Sequence, residues 1–207
     1  PVEGLEAEEY QRRKNRAAEV WRFIWLRASE FRGQGVGGVD VLVICQQALE
    51  AHLRELGLPD NVDIAHFNAT RGIDKWGGVR CVITVGRTLP APHDVEVLTE
   101  NLTGKATDKL PDGEWYPRQS AGIDIGGGVG LTIRGERHPD LTAEIVRWQI
   151  CEAELTQCLG RGRGVNRTPD DPLHVDILTN VCLPLKVDEP IRWDDNAPGA
   201  IEEMVAR

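Results

Sequence analysis

The stretch Asp40-Val-Leu-Val-Ile-Cys45 decides the fold, because it places five consecutive apolar residues behind an acidic one. An uninterrupted apolar run of this length is typical of a strand buried on both faces, as in a parallel sheet. Two further strands are predicted at residues 62–67 and 79–85, with a helix at 46–58 between the first two. This order of elements indicates an open α/β sheet with right-handed crossovers.

Helices are predicted at both ends of this sheet region from apolar residues at spacings of three and four. One helix covers residues 5–31, a second covers residues 93–102, and an amphipathic helix covers residues 140–159. The predicted buried face of the last helix consists of Leu141, Ile145, Trp148, Cys151 or Ile150, Leu155 and Leu159. A final strand is predicted at residues 173–178.

The 207 residues suffice for one sizeable domain with extensions. We expect a helical extension and linker at residues 1–38, the sheet domain at 39–183, and an acidic tail at 184–207. Glycine and proline are frequent in residues 104–138, which we interpret as an insertion. It is expected to contain two hairpin strands, at residues 114–116 and 129–134, around Gly126-Gly127-Gly128.

Composition excludes several classes of protein. The net charge of −9 argues against a basic module that coats nucleic acid, although it permits a local basic groove. Five cysteines without C-x-x-C spacing are interpreted as reduced core residues. No apolar run approaches twenty residues and no signal peptide is visible, so we expect a soluble, cytoplasmic protein without a membrane partner. Because the chain begins with Pro1, we expect it to be a piece of a longer protein.

An arginine-rich segment, Gln157-Cys-Leu-Gly-Arg-Gly-Arg-Gly-Val-Asn-Arg167, follows the amphipathic helix. Arginine binds phosphate oxygens in a bidentate manner, and glycine allows a backbone to approach a ligand closely. The segment therefore predicts a phosphate contact. The alternative is a solvated helix C-terminus, where cations are favoured by the helix dipole.

A second motif, Ala69-Thr70-Arg71-Gly72-Ile73-Asp74, precedes the strand at residues 79–85. It resembles motif V of superfamily 2 helicases, a T/S-x-x-G-[hydrophobic]-D loop before a strand. The segment Gln157-x-x-Gly160-Arg161 resembles motif VI of the same superfamily, Q-x-x-G-R-x-x-R. With a motif IV-like strand at 41–45, these motifs follow the order of the second RecA-like lobe over residues 39–180.

The resemblance implies an α/β, RecA-like lobe of an ATP-dependent DNA helicase or translocase, with an N-terminal RecA-like lobe as partner. That partner lobe would hold most of the ATP and its Mg²⁺. The resemblance further implies three groups of site residues. The catalytic group is Arg161, Arg163 and Arg167; the nucleotide-binding group is Gln157, Gly160, Gly72 and Asp74; the group that contacts nucleic acid, DNA rather than RNA, is Thr70, Gln46, Arg71 and Arg87.

This sequence departs from the motif VI pattern at Gly164, where the second arginine is expected, and Arg163 is favoured as its substitute. No G-x-x-x-x-G-K-[ST] phosphate loop occurs, so the isolated chain is expected to be inactive. A non-catalytic helicase-like adaptor is the alternative function. A Rossmann-type transferase is disfavoured, since no glycine-rich loop follows the first strand. In open sheets ligands bind at the carboxyl ends of strands, so we expect the arginines to face that edge.

Overall fold

A computed structural model of the chain describes residues 5–199. These residues group into two compact units, one formed by residues 5–85, 159–178 and 191–199, the other by residues 86–158 and 179–190. None of the helices described in this range has the length and apolar composition needed to cross a bilayer. The elements in chain order are α1 (Leu5–Glu30), β1 (Val41–Cys45), α2 (Gln47–Leu56), β2 (Val62–His66), β3 (Cys81–Val85), α3 (Pro92–Thr103), β4 (Arg118–Asp124), β5 (Gly130–Glu136), α4 (Leu141–Ile150), α5 (Glu152–Leu159), β6 (His174–Leu178) and α6 (Trp193–Asn196).

The first unit is built on a four-stranded sheet in the order β2-β1-β3-β6. Every neighbouring pair in this sheet is parallel. All residues of β1 and β3 are buried, because these central strands are covered on both faces. The α/β class with an open parallel sheet is thus confirmed, and the four sheet strands lie within two residues of their predicted positions.

The core of the first unit lies between the sheet and α1. One face of the sheet contributes Val41, Val43 and Cys45 from β1 to this core. Five residues of the α1 region meet them, namely Val20, Trp21, Ile24, Ala28 and Phe31. The predicted N-terminal helix is confirmed. Although the sequence suggested an extension, α1 supplies the apolar surface that covers the central strands.

The connection from β2 to β3 crosses β1 without forming a helix. In this crossover, residues 67–80, the buried Trp76 donates its indole N–H to Asp63 Oδ2 at 2.7 Å. Lys75 Nζ pairs with the same carboxylate at 2.8 Å. Because Asp63 is the second residue of β2, these contacts return the crossover to the amino-terminal end of the sheet.

The acidic tail returns to the first unit through α6. Trp193 donates its indole N–H to Glu19 at 2.9 Å, and its ring meets Phe23 edge to face at 5.6 Å. Arg16 and Asp194 form an ion pair at 2.6 Å. The tail is therefore attached to α1 through residues that are distant in sequence.

The second unit combines α3 and α4 with an antiparallel hairpin of β4 and β5. Its small core contains Val95, Tyr116 and Ala143. The first hairpin strand begins at Arg118, later than the expected strand at residues 114–116. The difference arises because Tyr116 is buried and donates its hydroxyl to the Pro90 carbonyl at 3.0 Å. The predicted insertion at residues 104–138 lies inside this unit, which also includes α3 and α4.

The amphipathic helix predicted at residues 140–159 is interrupted, and the prediction of its buried face is wrong for the first half of the helix. The backbone of Cys151 has φ −98° and ψ −75°, which separates α4 from α5. In α4, Leu141 and Ile145 are 81% and 63% exposed. The buried residues are instead Ala143 and Arg147. Farther along, Cys151, Leu155 and Leu159 are buried as predicted.

Arg147 explains the inverted face of α4. Its guanidinium donates to Glu144 at 2.7 and 2.9 Å and to Glu152 at 2.6 Å. Two carboxylates compensate the desolvation of the buried cation, and together they hold the pKa of Arg147 well above its usual value. The buried side of α4 therefore carries an ion-paired arginine, and the apolar residues Leu141 and Ile145 lie on its exposed side.

Candidate functional site

The arginine turn, residues 160–167, consists of two consecutive 3₁₀ turns, Gly160–Gly162 and Gly164–Asn166. Arg163 joins them in the left-handed conformation, with φ 54° and ψ 45°. Gly162 is required for close packing, because a Cβ there would lie 2.6 Å from Leu173 and 2.8 Å from Val82. The absence of a side chain at Gly162 therefore lets the turn lie directly against β3.

Arg163 connects the motif VI-like turn to the motif V-like crossover. Its Nη2 donates to both carboxylate oxygens of Asp74. The aliphatic part of the side chain lies against Gly77, where a Cβ would approach Cδ of Arg163 to 2.9 Å. The side chains of Arg163 and Asp74 are 46% and 76% exposed, so their ion pair is accessible to solvent. Two segments far apart in sequence thus meet through residues selected from both motifs.

The guanidinium of Arg167 is hydrogen-bonded to other residues of the same unit. Its Nη2 donates to the carbonyls of Gly77 at 3.0 Å, Val79 at 2.6 Å and Gly162 at 3.3 Å. Its Nη1 also pairs with Asp171 at 3.2 Å. Burial, together with the nearby positive charge of Arg80, lowers the pKa of Arg167. The expected catalytic role of Arg167 stays a prediction, and in this structure its donors point into the fold.

Arg161 differs from its two neighbours in the turn. It is partly exposed, and its buried Nε has no hydrogen-bond partner within residues 5–199. A buried donor without a partner costs free energy. Of the three arginines, Arg161 is the one whose guanidinium the described part of the chain leaves without a hydrogen bond or ion pair.

An open pocket of about 280 Å³ lies beside the turn. Its lining consists of Val36, Gly77, Gly78, Arg80, Arg163, Asn166, Arg167 and Asp171. Asp171 pairs with both Arg80 and Arg167, which leaves a positive balance among these side chains. Sequence reasoning missed Arg80, Asn166 and Asp171. Sequence spacing gave no signal for the ion pair between Arg167 and Asp171, because residues 167–171 are not helical.

The pocket lies at the amino-terminal ends of the central strands. Gly77 and Val79 precede β3, and the amide of His174, the first residue of β6, donates to the carbonyl of Arg80 at 2.9 Å. Gln46 lies at the opposite, carboxyl end of β1. The expectation that the arginines face the carboxyl edge is therefore wrong. The crossover returns to the amino edge before β3 begins, and there its Asp74 contacts Arg163.

The loop before β1 completes the amino edge through a buried carboxylate. Asp40 accepts hydrogen bonds from the amides of Gly33 at 2.8 Å and Gly35 at 2.6 Å, and from Asn61 at 2.7 Å. Burial alone would raise the pKa of Asp40, but these hydrogen bonds outweigh it and lower the pKa. The loop is thereby fixed where Val36 meets the pocket.

The four residues proposed for nucleic-acid contact lie in different environments. Thr70 is 1% exposed and its hydroxyl lacks a hydrogen-bond partner within residues 5–199. The structure therefore does not place Thr70 on a surface, and its contact with nucleic acid stays a prediction. Arg71 and Gln46 are exposed. Arg87 lies in the second unit, where it pairs with Glu136 and is largely buried.

The four nucleotide-side candidates, Gln157, Gly160, Gly72 and Asp74, are all exposed in the structure. Gln157 lies in the last turn of α5, within the second unit, and Gly160 opens the first 3₁₀ turn. Residues 5–199 contain no group of three or more His, Cys, Asp or Glu side chains that could hold a metal ion. All five cysteines are free, and burial raises the pKa of Cys151 to about 12.

Comparisons with protein-family models, with curated proteins and with solved structures find no match to this chain. Function is therefore inferred from the side chains at the amino edge of the sheet.

Proposed function

We propose that this chain is the second motor lobe of an ATP-dependent DNA helicase or translocase. It would supply arginine to an ATP site whose phosphates and Mg²⁺ are held by an N-terminal RecA-like lobe. The single observation that carries the proposal is the contact between Arg163 and Asp74. Because the turn and the crossover each resemble a helicase motif, their meeting at one edge supports a common site.

The chemistry required of this edge is stabilisation of charge on a transferring phosphoryl group. An arginine supplied across a cleft performs this task and contributes about 10³ to 10⁵ in rate in well-studied phosphoryl-transfer enzymes. Arg161 suits the role because its side chain is partly exposed and no carboxylate within residues 5–199 pairs with it. Arg163 can also reach a phosphate, because an exposed ion pair such as that with Asp74 is worth only about 0–1 kcal/mol.

The amino-edge position is compatible with a lobe that completes a site carried mainly by another lobe. The rule that ligands bind at the carboxyl ends of strands would place a nucleotide held by this sheet at the opposite edge, so the proposal requires the arginines to reach a nucleotide held by the other lobe. This chain has no phosphate loop, so its arginines need only face the lobe that does. The carboxyl edge, with Gln46 exposed, is then available for a different ligand, which we propose to be DNA.

A non-catalytic adaptor is the second candidate. It is favoured by the neutralisation of Arg163 by Asp74 and by glycine at position 164. The overall charge of −9 also suits protein binding better than extended contact with a nucleic-acid backbone. In this case the amino edge would retain the helicase-like shape without a role in hydrolysis.

The test is DNA-stimulated ATP hydrolysis by a protein that carries this chain together with an ATP-binding lobe. We expect Arg161→Ala and Arg163→Ala each to lower kcat by about 10²-fold or more with little change in KM, as for a group that acts in the transition state. Arg134→Ala, an exposed arginine of β5, serves as the control and should leave hydrolysis unchanged. Unchanged kcat in both turn variants would support the adaptor instead.

A further inference from the structure

Arg167 is the residue through which the arginine turn and the crossover share backbone contacts. One guanidinium nitrogen reaches carbonyls of both segments, Gly162 on the turn and Gly77 and Val79 on the crossover. The side chain is only 11% exposed, so these hydrogen bonds form largely away from water. Charge-assisted hydrogen bonds of this kind are about twice as strong as neutral ones.

The acceptors of Arg167 lie next to the atoms that orient Arg163. Gly77, whose carbonyl Arg167 holds, is also the residue against which the Arg163 side chain lies. Gly162, the acceptor on the turn, is the residue immediately before Arg163. A displacement of either carbonyl would therefore shift Arg163 relative to Asp74.

We infer that Arg167 is a positioning residue, which fixes the turn to the crossover so that Arg163 is held at the amino edge. The catalytic consequence rests on the proposed motor function; the mechanical coupling of the two segments does not. Arg167 itself would touch no nucleotide, since its donors are directed at backbone carbonyls and Asp171. A lysine at this position would keep the charge but lose the planar arrangement of donors.

The coupling is tested first in this chain by amide hydrogen exchange, comparing wild type with Arg167→Lys and Arg167→Ala. We expect exchange to accelerate together in residues 76–80 and 162–166, and α2 to remain unchanged. Arg54→Lys is the matched control, because Arg54 also donates to a backbone carbonyl of this unit, that of Ile64 at 2.8 Å. Unchanged exchange in the crossover of a folded Arg167 variant would overturn the inference.

The positioning role is tested next by a double-mutant cycle on ATP hydrolysis in the protein that carries both lobes. We expect Arg167→Lys to lower kcat by about 10-fold or more with KM unchanged, and to add nothing in the Arg163→Ala background. An equal loss in both backgrounds would overturn positioning through Arg163. If Arg161→Ala and Arg163→Ala leave hydrolysis intact while exchange still accelerates in both segments, the motor proposal fails and the coupling stands.

Discussion

The left-handed backbone of Arg163 allows a direct test of the structure of the arginine turn. A non-glycine residue in this conformation loses about 1–2 kcal/mol relative to a right-handed one, whereas glycine does not. At φ 54°, Arg163→Gly should remove that strain, while Arg163→Ala should retain it. Both substitutions remove the ion pair with Asp74, whose exposed geometry limits its contribution to about 0–1 kcal/mol.

The difference between the two variants isolates the backbone term, since the ion pair is absent from both. Glycine also increases the entropy of the unfolded chain, which costs about 0.4–1 kcal/mol relative to alanine. Subtracting this cost from the relieved strain, we expect Arg163→Gly to be more stable than Arg163→Ala by about 0–1.6 kcal/mol, with a midpoint of about 0.8 kcal/mol.

Urea unfolding of the two variants, followed by tryptophan fluorescence, measures this difference. Ala51→Gly provides a control of opposite sign, because Ala51 is an exposed position inside α2. There glycine should be less stable than alanine by about 1 kcal/mol. If Arg163→Gly is the less stable of the two turn variants, the left-handed turn is incorrect and the orientation of Arg163 must be revised.

Two further predictions concern the same edge of the sheet. Because hydrogen bonds lower the pKa of Asp40, its contribution to stability is present above the unfolded pKa of about 3.9 and is lost as pH falls through the lower folded value. Asp40→Asn should lower the free energy of unfolding by about 1–3 kcal/mol at pH 7. It should also reduce the loss of stability that wild type shows between about pH 5 and 3, and an unchanged pH dependence would contradict this role. Gly162→Ala should destabilise the chain by about 1–3 kcal/mol, because the added Cβ would lie 2.6 Å from Leu173. Gly160→Ala is the control, because a Cβ there meets open space. Equal thermal stability of the two variants would refute the close packing of Gly162.

Continuous apolar patterns made the sheet predictable from sequence. The apolar runs at β1 and β3 indicate buried strands, and every residue of both strands is buried in the structure. The inverted face of α4 was not predictable by periodicity, because its buried position 147 is a charged residue compensated by Glu144 and Glu152. Tertiary ion pairs of this kind leave no apolar signal in the sequence.

The sequence predicted some of the residues of the site, but it did not predict how they are arranged. Motif order selected Arg163 and Asp74, which the fold brings into contact. The same reasoning placed Thr70 on a surface, although the crossover buries it. It also gave Arg167 a chemical role, because spacing alone does not show which backbone carbonyls lie within reach of a side chain.

The sheet has a consequence for synthesis on the ribosome. Its last strand, β6, pairs with β3 although residues 86–173 separate them. A nascent chain can therefore assemble β1, β2 and β3 early, but must expose the unpaired side of β3 until the intervening residues have been translated. Unpaired strand edges are prone to association with other chains. Translation through the second unit is thus the interval in which this protein most needs protection from aggregation.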